Sequence, residues 1–360
     1  MKRKILVFHP DINVHKSFSY YTKSVYDILS ENYEVKSFEW SLTHLFNKNI
    51  EVLFLFWFEN LIGNPNNIFM QRIQYAIKLG YLKAMKKRGI RIVYGLHNKA
   101  PHNLDTTNTS VVRQYEKFMR NAIDLSDSII VANTKTVDNF KHEYGIDMHA
   151  KKVTHVPLAT TKPQMIDRQE YRKKYNVASD EFFVGCIGKV ERYKNVDLAI
   201  SAFLKSGISG KFIVAGGVDA EYELELRQLA ADNPNIIYDF HFLEEEEMLG
   251  LIHSLDLVVL PYEKTSSNSG ILIDAFLNDT NILAYKFEML YDYSDDCFYS
   301  YDYTDREDHL SKLTNALKDI EKEYKYDRES FDVKRHRLKV EAEGMNTWDN
   351  VKRMLSVAIQ

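Results

Sequence analysis

The stretch Pro261-Tyr262-Glu263-Lys264-Thr265-Ser266-Ser267-Asn268-Ser269-Gly270-Ile271-Leu272-Ile273-Asp274-Ala275 joins two kinds of secondary structure. Residues 255–260, just before it, have the length and composition of a buried strand, and the apolar residues at its end are typical of a helix. The loop between them carries hydroxyl and amide side chains such as Asn268, and Gly270 allows close approach to the backbone. A helix N-terminus offers unpaired N–H groups and a partial positive charge. The stretch therefore predicts a phosphate site, with an ordinary capped helix as the alternative.

A second segment of the same kind lies upstream. Residues 182–187 have the composition of a strand, and residues 196–203 have helical apolar spacing. Two such loops in one domain favour a diphosphate ligand more strongly than either loop alone. The candidate ligands are Lys189, Lys194 and the backbone N–H groups of Ser269, Gly270 and Ile271, with solvated surface lysines as the alternative. The upstream loop reads Gly188-Lys189-Val190-Glu191-Arg192-Tyr193-Lys194-Asn195.

Composition limits the class of protein. A length of 360 residues suggests two domains, and 45% hydrophobic with 27% charged residues is typical of a soluble globular enzyme. The net charge of −4 argues against general nucleic-acid binding. Two cysteines make no disulfide framework and are expected to stay reduced in a cytoplasmic protein. No signal peptide is expected, and the longest apolar run, residues 52–58, is too short to span a bilayer.

Strand and helix patterns alternate along the chain. Strands are predicted at residues 5–8, 33–38, 52–58, 90–94 and 129–131, and again at 182–187, 212–215, 236–238, 257–260 and 282–284. Helices are predicted at residues 16–30, 69–88 and 111–125, and near the end at 346–355. A linker is expected at 157–168. This alternation predicts an α/β fold with two doubly wound domains in series, each a parallel sheet covered on both faces.

The two loops resemble those of GT-B glycosyltransferases, closest to the family 4 type. The second domain of that family carries Gly-Arg-Leu-x-x-x-Lys-Gly and, later, Glu-x7-Glu at a helix start. Gly188 occupies the first position here, the Arg is replaced by Lys189, and the diphosphate-contacting Lys falls on Lys194. The second Glu, which holds the ribose, falls on Asp274, for which a plain helix-start Asp is the alternative. The first Glu, which holds the donor sugar, falls on Ser266, and this departure leaves the stereochemical course open.

A subset of polysaccharide-building members has Ser-Gly in the later loop and a strand that runs into His-Asn-x-x-Pro-His. This chain has Ser269-Gly270 and His97-Asn98-Lys99-Ala100-Pro101-His102. The resemblance implies that His97 contacts the donor sugar, and Asn98 and His102 share its loop. A histidine at the carboxyl end of a strand can also transfer a proton near neutral pH. A purely structural histidine is the alternative.

The resemblance also implies a domain plan. Residues 1–160 would form an acceptor-binding Rossmann-like domain and residues 161–341 a nucleotide-sugar-binding one, with a C-terminal helix at about 342–360 packed back on the first. The site is expected in the cleft between the domains. Phe242 lies in the segment that matches the nucleobase loop of the family. Asp11 follows the first strand and is a candidate base for an inverting reaction, with a plain turn as the alternative.

The chain lacks the Asp-x-Asp pattern that usually holds a divalent metal in nucleotide-sugar enzymes; Asp295 and Asp296 are adjacent instead. Lysines and a helix N-terminus can neutralise a leaving diphosphate without a metal. We therefore expect neither a metal nor another cofactor.

The resemblance implies a retaining, metal-independent hexosyltransferase that uses a nucleoside-diphosphate sugar. Its acceptor is expected to be a lipid-linked glycan of a bacterial surface polysaccharide such as a capsule. Helix 69–88 mixes apolar and basic residues, which suits the anionic inner face of the plasma membrane, although a core-facing helix with a basic end is equally compatible. Two alternatives stay open, a nucleotide-sugar 2-epimerase of the same fold and a non-catalytic partner subunit.

Overall fold

The computed structural model of the chain describes residues 4–10, 20–56, 58, 67–96, 104, 107–160, 167–231, 233–263 and 268–360. The chain divides into two compact units. The first comprises Met1–Ala159 and Trp348–Gln360, and the second comprises Thr160–Thr347. Each unit contains a six-stranded sheet in which every pair of neighbouring strands is parallel.

The sheet of the first unit has the strand order β2-β1-β3-β4-β5-β6. Its strands are β1 (Ile5–His9), β2 (Glu34–Ser37), β3 (Ile50–Phe56), β4 (Arg91–Leu96), β5 (Ser128–Val131) and β6 (Lys152–His155). The helices between them are α1 (Tyr20–Ser30), α2 (Leu42–Phe46), α3 (Ile68–Lys87), α4 (Thr109–Leu125) and α5 (Lys135–Tyr144).

Helices cover both faces of this first sheet because its central strands are apolar on both sides. Along β3, Leu53 and Leu55 pack in one cluster with residues of α3 and α4. Phe54 and Phe56 point to the opposite face and pack in a second cluster with α1. Successive side chains of a strand alternate between faces, so a continuous apolar run indicates a strand buried on both.

The sheet of the second unit has the order β12-β11-β10-β7-β8-β9. Its strands are β7 (Phe183–Ile187), β8 (Lys211–Ala215), β9 (Ile236–Asp239), β10 (Leu257–Leu260), β11 (Asn281–Tyr285) and β12 (Tyr299–Tyr301). Its helices are α6 (Arg168–Lys174), α7 (Val196–Ser206), α8 (Ala220–Ala230), α9 (Glu245–Ser254), α10 (Gly270–Leu277), α11 (Arg306–Tyr326) and α12 (Arg328–Met345).

The direction in which successive strands are added to this second sheet reverses between β7 and β10, although all the strands remain parallel. From β7 the chain moves outward through β8 to β9, and then returns to place β10 on the other side of β7. In open parallel sheets, ligands bind outside the carboxyl ends of the strands at such a reversal point. The loops that follow β7 and β10 are the two loops singled out from the sequence.

The last helix, α13 (Trp348–Ile359), belongs to the first unit. Val351, Leu355 and Ile359 are buried in the same cluster as Phe54. The helix begins two residues later than the sequence pattern predicted, because Asn346 ends α12 and accepts a hydrogen bond from the Tyr293 hydroxyl at 2.8 Å.

The predicted fold class is confirmed, and each predicted strand corresponds to an observed one with ends shifted by a few residues. The elements that the sequence analysis missed include α5, α8, α11 and α12, whose many charged residues weaken the apolar periodicity, and the three-residue strand β12, which is too short to show a pattern. Both cysteines are free and buried. Within the described part of the chain, no helix combines the length and apolar character needed to cross a membrane.

Candidate active site

Gly188 brings the two predicted loops together. It follows β7 with φ +94°, a left-handed conformation that favours glycine, and its N–H donates to the Ala215 carbonyl at 3.0 Å. A Cβ atom built on Gly188 would lie 3.1 Å from Cδ1 of Ile271 and 4.0 Å from Nζ of Lys194. The loop after β7, the lysine amine and the first turn of α10 therefore meet at one point.

Hydrogen bonds fasten the loop after β7 to the loop after β10. Nδ2 of Asn195 donates to the Pro261 carbonyl at 3.0 Å, and the N–H of Glu263 donates to the Tyr193 carbonyl at 3.0 Å. Asn195 has a left-handed backbone with φ 50°, which Asn tolerates better than most residues. This conformation explains why Asn can stand where the resembling family has Gly.

The amine of Lys194 lies in a pocket at this junction. The pocket is lined by Cys186, Gly188, Lys189, Pro261 and Tyr262, among others. Burial lowers the pKa of Lys194 to about 8, although the nearby Glu191 carboxylate acts in the opposite direction. Among the described residues, no side chain forms a salt bridge with this amine. A desolvated cation that forms no salt bridge with any described residue suits an anionic ligand.

The N-terminus of α10 forms the opposite wall of the junction. Ser269 caps the helix by accepting from the Leu272 N–H, at the long distance of 3.4 Å. The N–H groups of Gly270 and Ile271 have no hydrogen-bond partner within the described ranges. A Cβ atom on Gly270 would meet nothing within 4 Å. Open space beside unpaired N–H groups at a helix N-terminus is the geometry that binds phosphate.

Asp274 lies one turn further along α10. It is 5% exposed, and burial raises the pKa of its carboxyl to about 7 against the effect of a hydrogen bond from Thr160. The alternative of a helix-start residue is wrong, because α10 has no acidic residue in its first turn. The ribose role of Asp274 stays a prediction.

Lys189 differs from Lys194 in its surroundings. Its side chain is 73% exposed, and its amine forms a 2.6 Å salt bridge with Glu191. Exposed ion pairs contribute little to stability, about 0–1 kcal/mol, so an anionic ligand could replace Glu191 at small cost. A role for Lys189 in binding diphosphate stays a prediction.

The loop between β9 and α9 carries a cluster that the sequence analysis missed. Phe242 is 76% exposed, and the adjacent His241 bridges two carboxylates, with Nδ1 2.8 Å from Asp239 and Nε2 2.9 Å from Glu247. The hydrogen bond that the His241 imidazole donates to the Glu247 carboxylate is the main cause that raises the pKa of His241. These bonds tie the end of β9 to the first turn of α9 and so fix the loop that presents Phe242.

One group of possible metal ligands is found among the described residues. It consists of Asp239, His241 and Glu247, whose ligand atoms lie within 4.8 Å of one another. Lys174 pairs with Glu247 at 2.9 Å, and Tyr175 donates to Asp239 at 2.6 Å. Hydrogen bonds and ion pairs therefore already use these carboxylates. The adjacent Asp295 and Asp296 are likewise paired, with Lys286 and Arg337 respectively, both at 2.7 Å. The expectation of metal-independent chemistry stays a prediction.

Five predicted site residues lie outside the described residues. His97, Asn98 and His102 follow β4, which ends at Leu96, and Asp11 follows β1, which ends at His9. Ser266 belongs to the loop before α10. Their roles stay predictions.

Residues 167–330 match the protein family described as Glycosyl transferases group 1, and this segment covers most of the second unit. The whole chain has the fold of GT-B glycosyltransferases, as the following comparisons show.

HepE of Anabaena, solved in complex with UDP, superposes with a TM-score of 0.68 over 98% of both chains at 13% identity. Its complex with UDP-glucose gives a TM-score of 0.67 at 14% identity, again over 98% of both chains. WaaG, a glycosyltransferase involved in lipopolysaccharide biosynthesis, gives 0.65 over 98% of this chain and 99% of its own, at 14% identity. No curated protein sequence matches the chain significantly.

Proposed function

We propose that this protein transfers a hexose from a nucleoside-diphosphate sugar to a glycan acceptor. The observation that carries the proposal is the convergence of Gly188, the Lys194 amine and the first turn of α10 at the reversal point of a parallel sheet. The similarity of residues 167–330 to group 1 glycosyl transferases supports the same reaction class.

In the reaction, the bond between the anomeric carbon and the β-phosphate oxygen of the donor breaks. A glycosidic bond to an acceptor hydroxyl forms, that hydroxyl loses its proton, and the nucleoside diphosphate leaves. Negative charge grows on the leaving group, so preorganised positive groups aimed at it lower the barrier. Lys194 and the N–H groups of Gly270 and Ile271 supply this positive charge without a metal. Lys189 contributes further positive charge when its amine leaves Glu191 and binds the phosphate.

The remaining donor contacts follow from this placement of the diphosphate. Asp274, one turn along α10, accepts hydrogen bonds from the ribose hydroxyls. The loop of Phe242 follows β9, two strands from β7 at the same edge of the sheet, and it holds the base. Parallel strands lie about 5 Å apart, so this offset of about 10 Å suits the length of a nucleoside diphosphate. The UDP and UDP-glucose complexes of HepE favour a uridine donor.

The acceptor in this proposal is a lipid-linked glycan of a bacterial surface polysaccharide. The similarity to WaaG, involved in lipopolysaccharide biosynthesis, supports this class of acceptor. His97 contacts the donor sugar, Asn98 and His102 support its loop, and the reaction retains anomeric configuration. If it inverts instead, Asp11 is the candidate base.

Binding and turnover tests separate the alternatives. A thermal-shift series with UDP, GDP, ADP and dTDP should show one base that raises the melting temperature most, since a ligand of the folded state stabilises it by mass action. Incubation of the matching nucleotide sugar with glycan acceptors should then release nucleoside diphosphate. A new sugar epimer without any acceptor would indicate the epimerase, and binding without turnover under every acceptor would indicate a non-catalytic subunit.

A further inference from the structure

A strip of exposed apolar side chains runs along α3. Phe69, Ile73 and Ile77 are 70%, 40% and 63% exposed. They are spaced four residues apart, so they lie on one face of the helix. The opposite face is buried against the core of the first unit through Tyr75, Leu82 and Met85, among others. The strip is therefore not needed to hold α3 in place.

The short helix α2 also exposes apolar side chains, and Trp40, just before it, packs against Tyr81 of α3 with 5.3 Å between the ring centroids. Leu42 is 69% exposed and Phe46 is 80% exposed. The Arg88 guanidinium fixes α2 beside the end of α3 by donating to the His44 and Asn47 carbonyls at 2.9 and 3.0 Å. We call the exposed side chains of both helices the α2–α3 surface; its apolar members are Trp40, Leu42, Phe46, Phe69, Ile73 and Ile77.

Basic side chains are concentrated on the α3 part of this surface, while Glu39 is an exposed carboxylate beside Trp40. Residues 60–104 contain eight Lys and Arg but no Asp or Glu, in a chain where acidic residues outnumber basic ones by 51 to 47. Arg72, Lys83 and Lys87 are exposed on α3 and form no ion pair with any described residue. Lys86 pairs with Asp127 at 3.0 Å, so among the described residues of this acid-free segment the exposed positive charge without an ion pair includes that of Arg72, Lys83 and Lys87.

We propose that the α2–α3 surface docks the protein on an anionic lipid bilayer. Apolar side chains enter the boundary between headgroups and acyl chains, and neighbouring lysines and arginines attract anionic headgroups. A second copy of this chain is a poorer occupant, because a two-fold symmetric contact sets the same basic surface against itself. The inference adds the membrane to the proposed function, whose lipid-linked acceptor lies at such an interface.

The contribution of the apolar side chains to membrane binding is tested by co-sedimentation of the full chain with vesicles. Wild-type protein should bind vesicles of phosphatidylcholine with about one third phosphatidylglycerol, and bind pure phosphatidylcholine far more weakly. The double variant Ile73→Gln/Ile77→Gln should lose at least tenfold in partition coefficient, on the scale of removing two inserted aliphatic side chains. Leu224→Gln/Val340→Gln is the matched control, because these side chains are 59% and 56% exposed on helices of the second unit.

The contribution of the basic side chains is tested by measuring vesicle binding of the double variant Lys83→Gln/Lys87→Gln at low salt. Partition should fall roughly fivefold per lysine, and raised salt should remove the difference. Lys312→Gln/Lys318→Gln, which neutralises two exposed lysines of α11, should leave binding unchanged. The melting temperatures of all four variants should stay near wild type because the altered side chains are exposed.

Three results would overturn the proposal: equal binding to neutral vesicles, equal losses in the control variants, or no binding at all. A concentration-dependent dimer that Ile73→Gln/Ile77→Gln abolishes, without vesicle binding, would assign the surface to a second copy instead. Vesicle binding requires no nucleotide, so failure of the donor assays leaves this test intact. Conversely, nucleotide binding and turnover without vesicle binding would reject the docking surface alone.

Discussion

The amine of Lys194 lies over the ring of Tyr262, with 5.8 Å between Nζ and the ring centroid. The hydroxyl of Tyr262 in turn lies 3.3 Å from Oγ of Ser269, which caps α10. A cation–π contact contributes about 0.5–2 kcal/mol, whereas one pKa unit corresponds to about 1.4 kcal/mol. Burial lowers the pKa of Lys194 to about 8, and desolvation is the largest influence on the charge of this amine. The amine is thus placed to gain from an arriving anion.

Lys194→Ala should lower turnover by roughly 10²-fold or more, on the scale of losing one preorganised charge contact. The fold should survive, since the substitution removes a desolvated charge rather than a packed apolar group. Lys205→Ala, which removes an exposed lysine of α7, is the matched control. Steady-state rates of nucleoside diphosphate release measure the effect, and near-normal turnover in Lys194→Ala would remove this residue from the mechanism.

The affinity for nucleoside diphosphate should fall as pH rises above about 8, by up to about tenfold per pH unit, because only the protonated Lys194 amine attracts phosphate. Calorimetry in buffers between pH 7 and 10 measures this slope. The slope should vanish in Lys194→Met. A slope that persists unchanged in that variant would assign the titration to another group.

The same titration predicts the sign of a stability change. Because the pKa of Lys194 is lower in the folded state than its ordinary value of 10.5, the unfolded chain binds more protons between pH 8 and 10.5. Stability contributed by this group therefore rises with pH across that window. Urea unfolding of wild type and Lys194→Met should show the variant more stable at pH 7, with the difference shrinking towards pH 10.

Gly270→Ala should weaken nucleotide binding at least tenfold without destabilising the protein. Its Cβ would meet no protein atom within 4 Å, so the methyl group would occupy the space assigned to phosphate. Gly344→Ala in α12 is the matched control, since its Cβ also meets nothing within 4 Å. Both variants should hold or slightly raise the melting temperature, because Ala favours helix over Gly by about 0.5–1 kcal/mol. Equal nucleotide affinities in the two variants would place the phosphate elsewhere.

Asp274→Ala should lower affinity for nucleoside diphosphate at least tenfold, since hydrogen bonds to charged groups contribute about 1.5–3 kcal/mol. Asp274→Glu should recover part of the loss. The pKa of about 7 is raised above the ordinary value of 3.8, so burial disfavours the ionised carboxyl. Wild type should therefore lose stability relative to Asp274→Asn as pH rises from 4 to 7. Unchanged nucleotide affinity in a folded Ala variant would contradict the ribose role.

Activity should persist in excess EDTA, because protein groups neutralise the leaving diphosphate. The assay is donor turnover before and after chelation, with Mn²⁺ or Mg²⁺ added back. Loss of activity that either metal restores would reject metal-free chemistry and direct attention to Asp239, His241 and Glu247.

The sequence by itself determined most of the strands, several of the helices and the positions of the two loops. The apolar runs of β3, β7 and β10 and the helix that begins at Gly270 follow from local periodicity and composition, which each segment carries whatever its neighbours are. The pattern Gly188 to Lys194 and the Ser269-Gly270 step predicted an anion site, and that site stays a prediction. The helices α11 and α12 were not predicted, because prediction depends on local periodicity and their many charged residues leave only a narrow apolar stripe.

Only the tertiary structure decided which groups meet and in what electrostatic state. Asn195 bonds to Pro261 because the strand order sets β7 beside β10. His241 bridges Asp239 to Glu247 because the loop after β9 brings the first turn of α9 to the end of that strand. The pKa values of Lys194 and Asp274 depend on how much water their surroundings exclude. Desolvation sums over neighbours that are remote in sequence, so no local pattern encodes it.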